Sequence, residues 1–142
     1  MFPKLFSTRT HGFLDFVTAG TLMALPRAMG WSDRVTNLLT GVAVGTVGYS
    51  LLTRYEMGLV KILPMKAHLA LDAASGASLC AASYFLEDES DEVKAALIGL
   101  GLFELAAALT TQTEPQHEVE QQEQAAQAAA TLERSAYGQA GV

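Results

Sequence analysis

The stretch His11-Gly12-Phe13-Leu14-Asp15, HGFLD, returns fifty-seven residues later as His68-Leu69-Ala70-Leu71-Asp72, HLALD. Each copy sets a histidine and an acid four residues apart inside an otherwise apolar run. Residues i and i+4 share one face of a helix, so each copy lays an imidazole one turn from a carboxylate. The same shift aligns Lys4 with Lys61, Leu5 with Ile62, Phe6 with Leu63 and Arg9 with Lys66. A shift one residue longer aligns Ser32-Asp33 with Ser90-Asp91, Val35 with Val93, Leu39 with Leu97, Thr53 with Thr111 and Glu56 with Glu114. Self-similarity at a fixed period marks an internal duplication. The chain therefore divides into repeat one (4–56), repeat two (61–114) and a polar tail (112–142).

Half of the 142 residues are hydrophobic and only 17% are charged, an apolar balance for a soluble chain. From Val35 to Thr53 no charge occurs, and between Lys94 and Glu114 the one charged residue is Glu104. Thr10 to Pro26 is apolar or small except for His11 and Asp15, and Ala67 to Leu86 except for His68 and Asp72. These lengths suit membrane spans. A soluble four-helix bundle needs a charged outer stripe on every helix. The Val35 to Thr53 segment has none, and its hydroxyls are of the kind that membrane helices satisfy internally or on neighbours. The expected fold is all-α: an integral membrane four-helix bundle, residues 1–111, made of two tandem two-helix repeats. Two-span repeats run in the same direction, so a pseudo-two-fold axis along the membrane normal is expected to relate them.

Lys4, Arg9, Arg54, Lys61 and Lys66 flank one side, against Arg27, Arg34 and Lys94 on the other, where Glu87, Asp88, Glu89, Asp91 and Glu92 also gather. The excess of Lys and Arg predicts a multi-pass protein of the inner (cytoplasmic) membrane with both termini in the cytoplasm. Trp31, Tyr55, Tyr84 and Phe85 fall at span ends, where aromatic rings suit the headgroup layer. With net charge −6 and no basic stretch, nucleic acid is not an expected partner. Cys80 is the single cysteine and cannot form an intrachain disulfide. The tail, rich in Gln, Glu and Ala, cannot build a core and is expected to be helical or disordered.

Matching depth brings the two His-Asp pairs into one layer with Glu104 and its counterpart Thr46, with Tyr49 a turn further on. An ionised aspartate at mid-membrane costs about 2.5–3.5 kcal/mol, so these acids must face inward and find partners. His11, Asp15, His68, Asp72, Glu104, Thr46 and Tyr49 are the expected polar cluster, with Ser75 and Ser78 as further hydrogen-bond partners. Gly41 and Gly45, with the small residues 73–78, are expected to let helices approach closely. Arg9 and Lys66 are expected to pair with Glu56 and Glu114 at helix ends. The cluster has four open readings: a purely structural lock, a metal site on His11, His68, Asp15 and Asp72, a haem held axially by His11 and His68, or a proton or ion path. Neither Gly-x-Ser-x-Gly, nor a phosphate loop, nor His-Glu-x-x-His occurs, which argues against an enzyme. The favoured function is a non-catalytic accessory or assembly subunit of a membrane complex, meeting protein partners through 115–142. The alternative is an intramembrane protein using the paired His-Asp cluster to bind a metal, haem or pigment, or as a proton or ion site.

A His-Gly-x-x-Asp at a span start, repeated as a His-Asp pair in a second unit, with Leu51 to Gly58, LLTRYEMG, closing the first, resembles the SPW-repeat family of small bacterial membrane proteins. The resemblance covers Thr10 to Glu114. At the places of the family's naming tripeptide the chain reads Leu25-Pro26-Arg27 and Ser83-Tyr84-Phe85. The resemblance implies a four-span fold and a membrane location, and no activity.

Overall fold

Three serines set where helices begin. Ser7 Oγ accepts from the Thr10 N–H at 3.1 Å, Ser32 Oγ from Val35 and Ser90 Oγ from Val93, both at 3.3 Å, satisfying donors that a helix start leaves free. In the computed structural model, which describes residues 3–139, five helices follow: α1 (Thr8–Ala28), α2 (Asp33–Leu52), α3 (Met65–Phe85), α4 (Asp91–Thr110) and α5 (Gln116–Gln139). The chain is all-α, and its extended pairings among the described residues are two isolated bridges.

α1 packs along α2, and α3 along α4, as two hairpins. The second hairpin closes most tightly where Gly76 faces Gly101: a Cβ on either would run into the other's carbonyl oxygen. Gly41 and Gly45, expected at a helix contact, lie on the outer face of α2 instead, with open space where a Cβ would stand. The reason is rotational. α2 turns Val35, Leu39, Ala43, Thr46 and Ser50 inward, and that seam leaves 41 and 45 on the opposite side.

The two hairpins are clasped crosswise. Ahead of α1, Leu5 N–H donates to Thr110 O at 2.7 Å, and Gln112 N–H donates to Phe6 O at 2.9 Å. Ahead of α3, Ile62 N–H donates to Leu52 O at 3.0 Å, and Arg54 N–H donates to Leu63 O at 2.8 Å. Each half's lead-in segment thus pairs with the end of the other half's second helix, at positions matched by the repeat.

Burial runs against the usual order. Around the clasped end the interior holds His11, Asp15, Thr46, Ser50, Thr53, His68, Asp72, Glu104 and Thr111, while Phe13, Val17, Val44, Leu102 and Leu109 stand exposed. An apolar cluster of Leu22, Val35, Leu39, Leu79, Val93 and Leu97 fills the other end. α2 and α4 are long and apolar enough to cross a membrane, with mean hydropathy 1.4 and 1.7, yet only 28% and 33% of those segments are buried. A core helix of a soluble protein is mostly buried; these present apolar side chains outward. α1 and α3, interrupted by the His-Asp pairs, do not reach that hydropathy, so two of the four expected spans meet the criterion. The tail forms α5, exposed from Val119 to Ser135; residues 140–142 of the expected tail lie outside the described residues.

Candidate metal centre

α1 brings His11 and Asp15 to the interface between the hairpins, and α3 brings His68 and Asp72. All four are buried, and one ligand-type atom from each lies within 4.8 Å of the others. His11 Nε2 is 2.9 Å from Asp72 Oδ2 and 3.3 Å from Asp15 Oδ1. His68 Nε2 is 3.2 Å from Asp15 Oδ2 and 3.2 Å from Asp72 Oδ2. The two Nε2 atoms are 3.3 Å apart. Each histidine therefore meets the aspartate of its own helix and that of the other half.

The far nitrogen of each ring is fixed across the pseudo-symmetry. Thr111 Oγ1 lies 2.8 Å from His11 Nδ1 while donating its only proton to Ala107 O at 2.7 Å. Thr53 Oγ1 lies 2.9 Å from His68 Nδ1 while donating to Tyr49 O at 2.7 Å. A hydroxyl has one proton, so both threonines accept from the rings and both Nδ1 carry hydrogen. The two Nε2 atoms are left turned toward each other and toward the carboxylates.

The carboxylates are held in turn. Tyr49 OH donates to Asp72 Oδ1 at 2.6 Å, and Ser50 Oγ and Tyr55 OH donate to Asp15 Oδ2 at 3.1 and 3.0 Å. Tyr55, expected at the headgroup layer, is instead wholly buried, because the α2–α3 connection folds its ring back over Gly12, where a Cβ would strike it. This gives the glycine of HGFLD a packing role. Burial pushes the Tyr55 phenol above its ordinary range, and the Asp15 charge adds to the shift, so it remains a donor.

Thr46 and Glu104 are also buried beside the centre, Thr46 Oγ1 lying 3.2 Å from Tyr49 OH. Both Glu104 oxygens and Ser75 Oγ find no partner in the protein, while Ser78 bonds the Ala74 carbonyl of its own helix. The expected pairing of Arg9 and Lys66 with Glu56 and Glu114 does not form among the described residues; Glu56 turns to Thr8 Oγ1, at 2.8 Å, and all four side chains are exposed. The 3.3 Å gap between the Nε2 atoms also leaves no room for a haem ring, whose axial nitrogens stand roughly two metal–nitrogen bonds apart, about 4 Å, with the macrocycle between them. Thr53, Thr111, Ser50 and Tyr55 are site residues that sequence reasoning did not single out. The threonines carried a signal, since the repeat aligns them; Ser50 and Tyr55 match Ala108 and Thr113 and carried none.

No protein family, no curated protein and no solved structure matches this chain.

Proposed function

We propose that the chain is a four-span integral membrane protein that holds one divalent first-row metal ion at His11, Asp15, His68 and Asp72. The carrying observation is the fixed orientation of both imidazoles: with each Nδ1–H given to a threonine, two Nε2 atoms and the carboxylate oxygens converge on one buried point. Acceptors so placed need either two protons or one doubly charged cation. Two protons would set two imidazolium charges with nitrogens 3.3 Å apart in a buried site, whereas one cation neutralises both aspartates and leaves the rings neutral. Separations of 2.9–3.3 Å match ligand–ligand edges around a first-row ion with bonds of about 2.0–2.1 Å, roughly 2.9 Å where bonds stand at right angles and 3.3 Å in a tetrahedron, so four protein ligands leave a further position free. Threonine beneath each histidine, and Tyr49, Ser50 and Tyr55 on the carboxylates, are the outer hydrogen bonds that orient metal ligands. Two nitrogens and two oxygens suit zinc, iron(II) or manganese.

The membrane part of the proposal has its own support. The polar centre faces inward, the apolar side chains face outward, and the repeat gives α1 and α3 the same placement as each other. Four spans, an inner-membrane location with both termini in the cytoplasm, and kinship with the SPW-repeat proteins belong to this proposal. α5, exposed from Val119 to Ser135, is the element offered to a protein partner, and an assembly role would run through it.

Protein purified in mild detergent and stripped of metal should take up one Co²⁺ or Zn²⁺ per chain, Co²⁺ giving visible absorption bands of a low-symmetry nitrogen and oxygen site. The protein with His11→Ala and His68→Ala together should take up none at that site. Wild-type protein that remains folded yet binds neither ion would overturn the metal reading.

A further inference from the structure

The repeat that matches the ligands also locates one place where the halves differ in shape. Tyr49 on α2 reaches across to Asp72 Oδ1 and lies beside Thr46. Its counterpart on α4 is Ala107, and the counterpart of Thr46 is Glu104. Where the Tyr49 ring fills one half, the other has a cavity of about 20 Å³, lined by His11, Asp15, Asp72, Thr46, Glu104 and Ala107. That volume holds one water-sized molecule. Glu104 is 7% exposed and neither of its oxygens has a protein partner.

Resting on the metal centre proposed above, we propose that this cavity is an exchangeable water position on the metal, bounded by Glu104 and opened by Ala107. By the pseudo-symmetry a tyrosine hydroxyl in this half would only bond Asp15 from outside, as Tyr49 bonds Asp72; a water, tethered to no ring, lies against His11 and Asp72 as well as Asp15 and Glu104. A phenol has one proton to donate; water has two, enough for Asp15 Oδ1 and for Glu104, and keeps lone pairs for the cation. Three of the four ligands, His11, Asp15 and Asp72, form the cavity wall, so the occupant lies against the coordination sphere. A water added to these four ligands makes the ion five-coordinate, an expansion known for reactive sites and foreign to closed structural ones. The ligand class is water, or an uncharged donor no larger.

The test uses the full chain in detergent loaded with Mn²⁺, exchanged into isotopically labelled water and read by pulsed electron paramagnetic resonance, together with relaxation of bulk water protons. A hyperfine coupling from the labelled oxygen, with relaxation per bound Mn²⁺ raised several-fold over that of the Ala107→Tyr protein, is the expected result. Glu104→Gln, which keeps the shape of the side chain, should retain the metal and shift the coupling. Mn²⁺ bound without any labelled-oxygen coupling in the wild-type protein overturns the water position and leaves the metal centre standing. Failure of the folded protein to bind Mn²⁺ overturns this inference, and failure with Co²⁺ and Zn²⁺ as well overturns the metal centre. The wild-type measurement decides the matter if Ala107→Tyr does not fold.

Discussion

Repeat one and repeat two hand the centre the same histidine, aspartate and threonine but opposite surroundings. Repeat one supplies the donors Tyr49, Ser50 and Tyr55; at the matching places repeat two has Ala107, Ala108 and Thr113, and it supplies the acid Glu104 where repeat one has Thr46. The halves also differ in closeness, since Gly76 and Gly101 touch where repeat one has Ala19 and Ala43. The residues that converge on one point match across the repeat, and those around it diverged into a donor side and an open side. A duplicated site is thereby given a direction.

Removing the part that the halves share should have the largest effect. His11→Ala and His68→Ala, each alone, should lower metal affinity by more than the roughly 10–100-fold expected of an outer hydrogen-bond partner, and by equal amounts in a metal titration. A large loss from one and none from the other would show that the halves are not equivalent at the centre. Next in size, Thr53→Ala and Thr111→Ala should each cost about 10–100-fold, again equally, with Thr→Ser restoring most of it. The asymmetric residues should behave otherwise. Tyr49→Phe removes a hydrogen bond to a carboxylate and should lower stability in detergent unfolding by about 1.5–3 kcal/mol. Glu104→Gln should change stability least, by less than the Tyr49→Phe loss, because its oxygens make no protein hydrogen bond to lose. A large loss from Glu104→Gln would mean that Glu104 belongs with the structural acids and that the open side is not open.

Much of this arrangement is legible in the chain itself. The two hairpins and the convergence of His11, Asp15, His68 and Asp72 follow from apolar runs and one repeat; sequence reasoning did not single out the capping serines Ser7, Ser32 and Ser90. What escaped depends on rotation about a helix axis and on the path of a connection. Gly41 and Gly45 have the spacing of a packing motif, but the inward seam through Leu39, Ala43 and Thr46 points them outward. Tyr55 sits at a span end in sequence, and only the fold of residues 53–64 over Gly12 turns it into a site residue. Arg9 and Lys66 have Glu56 and Glu114 within reach by counting, yet exposed side chains gain little from pairing and Glu56 is taken by Thr8.

The crosswise clasp bears on how the protein is made. His11 is in place after the first helix is synthesised, but the hydroxyl that orients it belongs to Thr111, a hundred residues later. The lead-in segment before α1 must likewise wait for the end of α4. On the proposed membrane reading, the first hairpin would enter the bilayer with its half of the centre unfinished, since the partner that orients His11 lies at the end of α4. Only arrival of α4 closes both clasps and sets both rings together, so the proposed ion would be captured only once the chain has reached Thr111, and a product truncated before that residue should bind no metal at this centre.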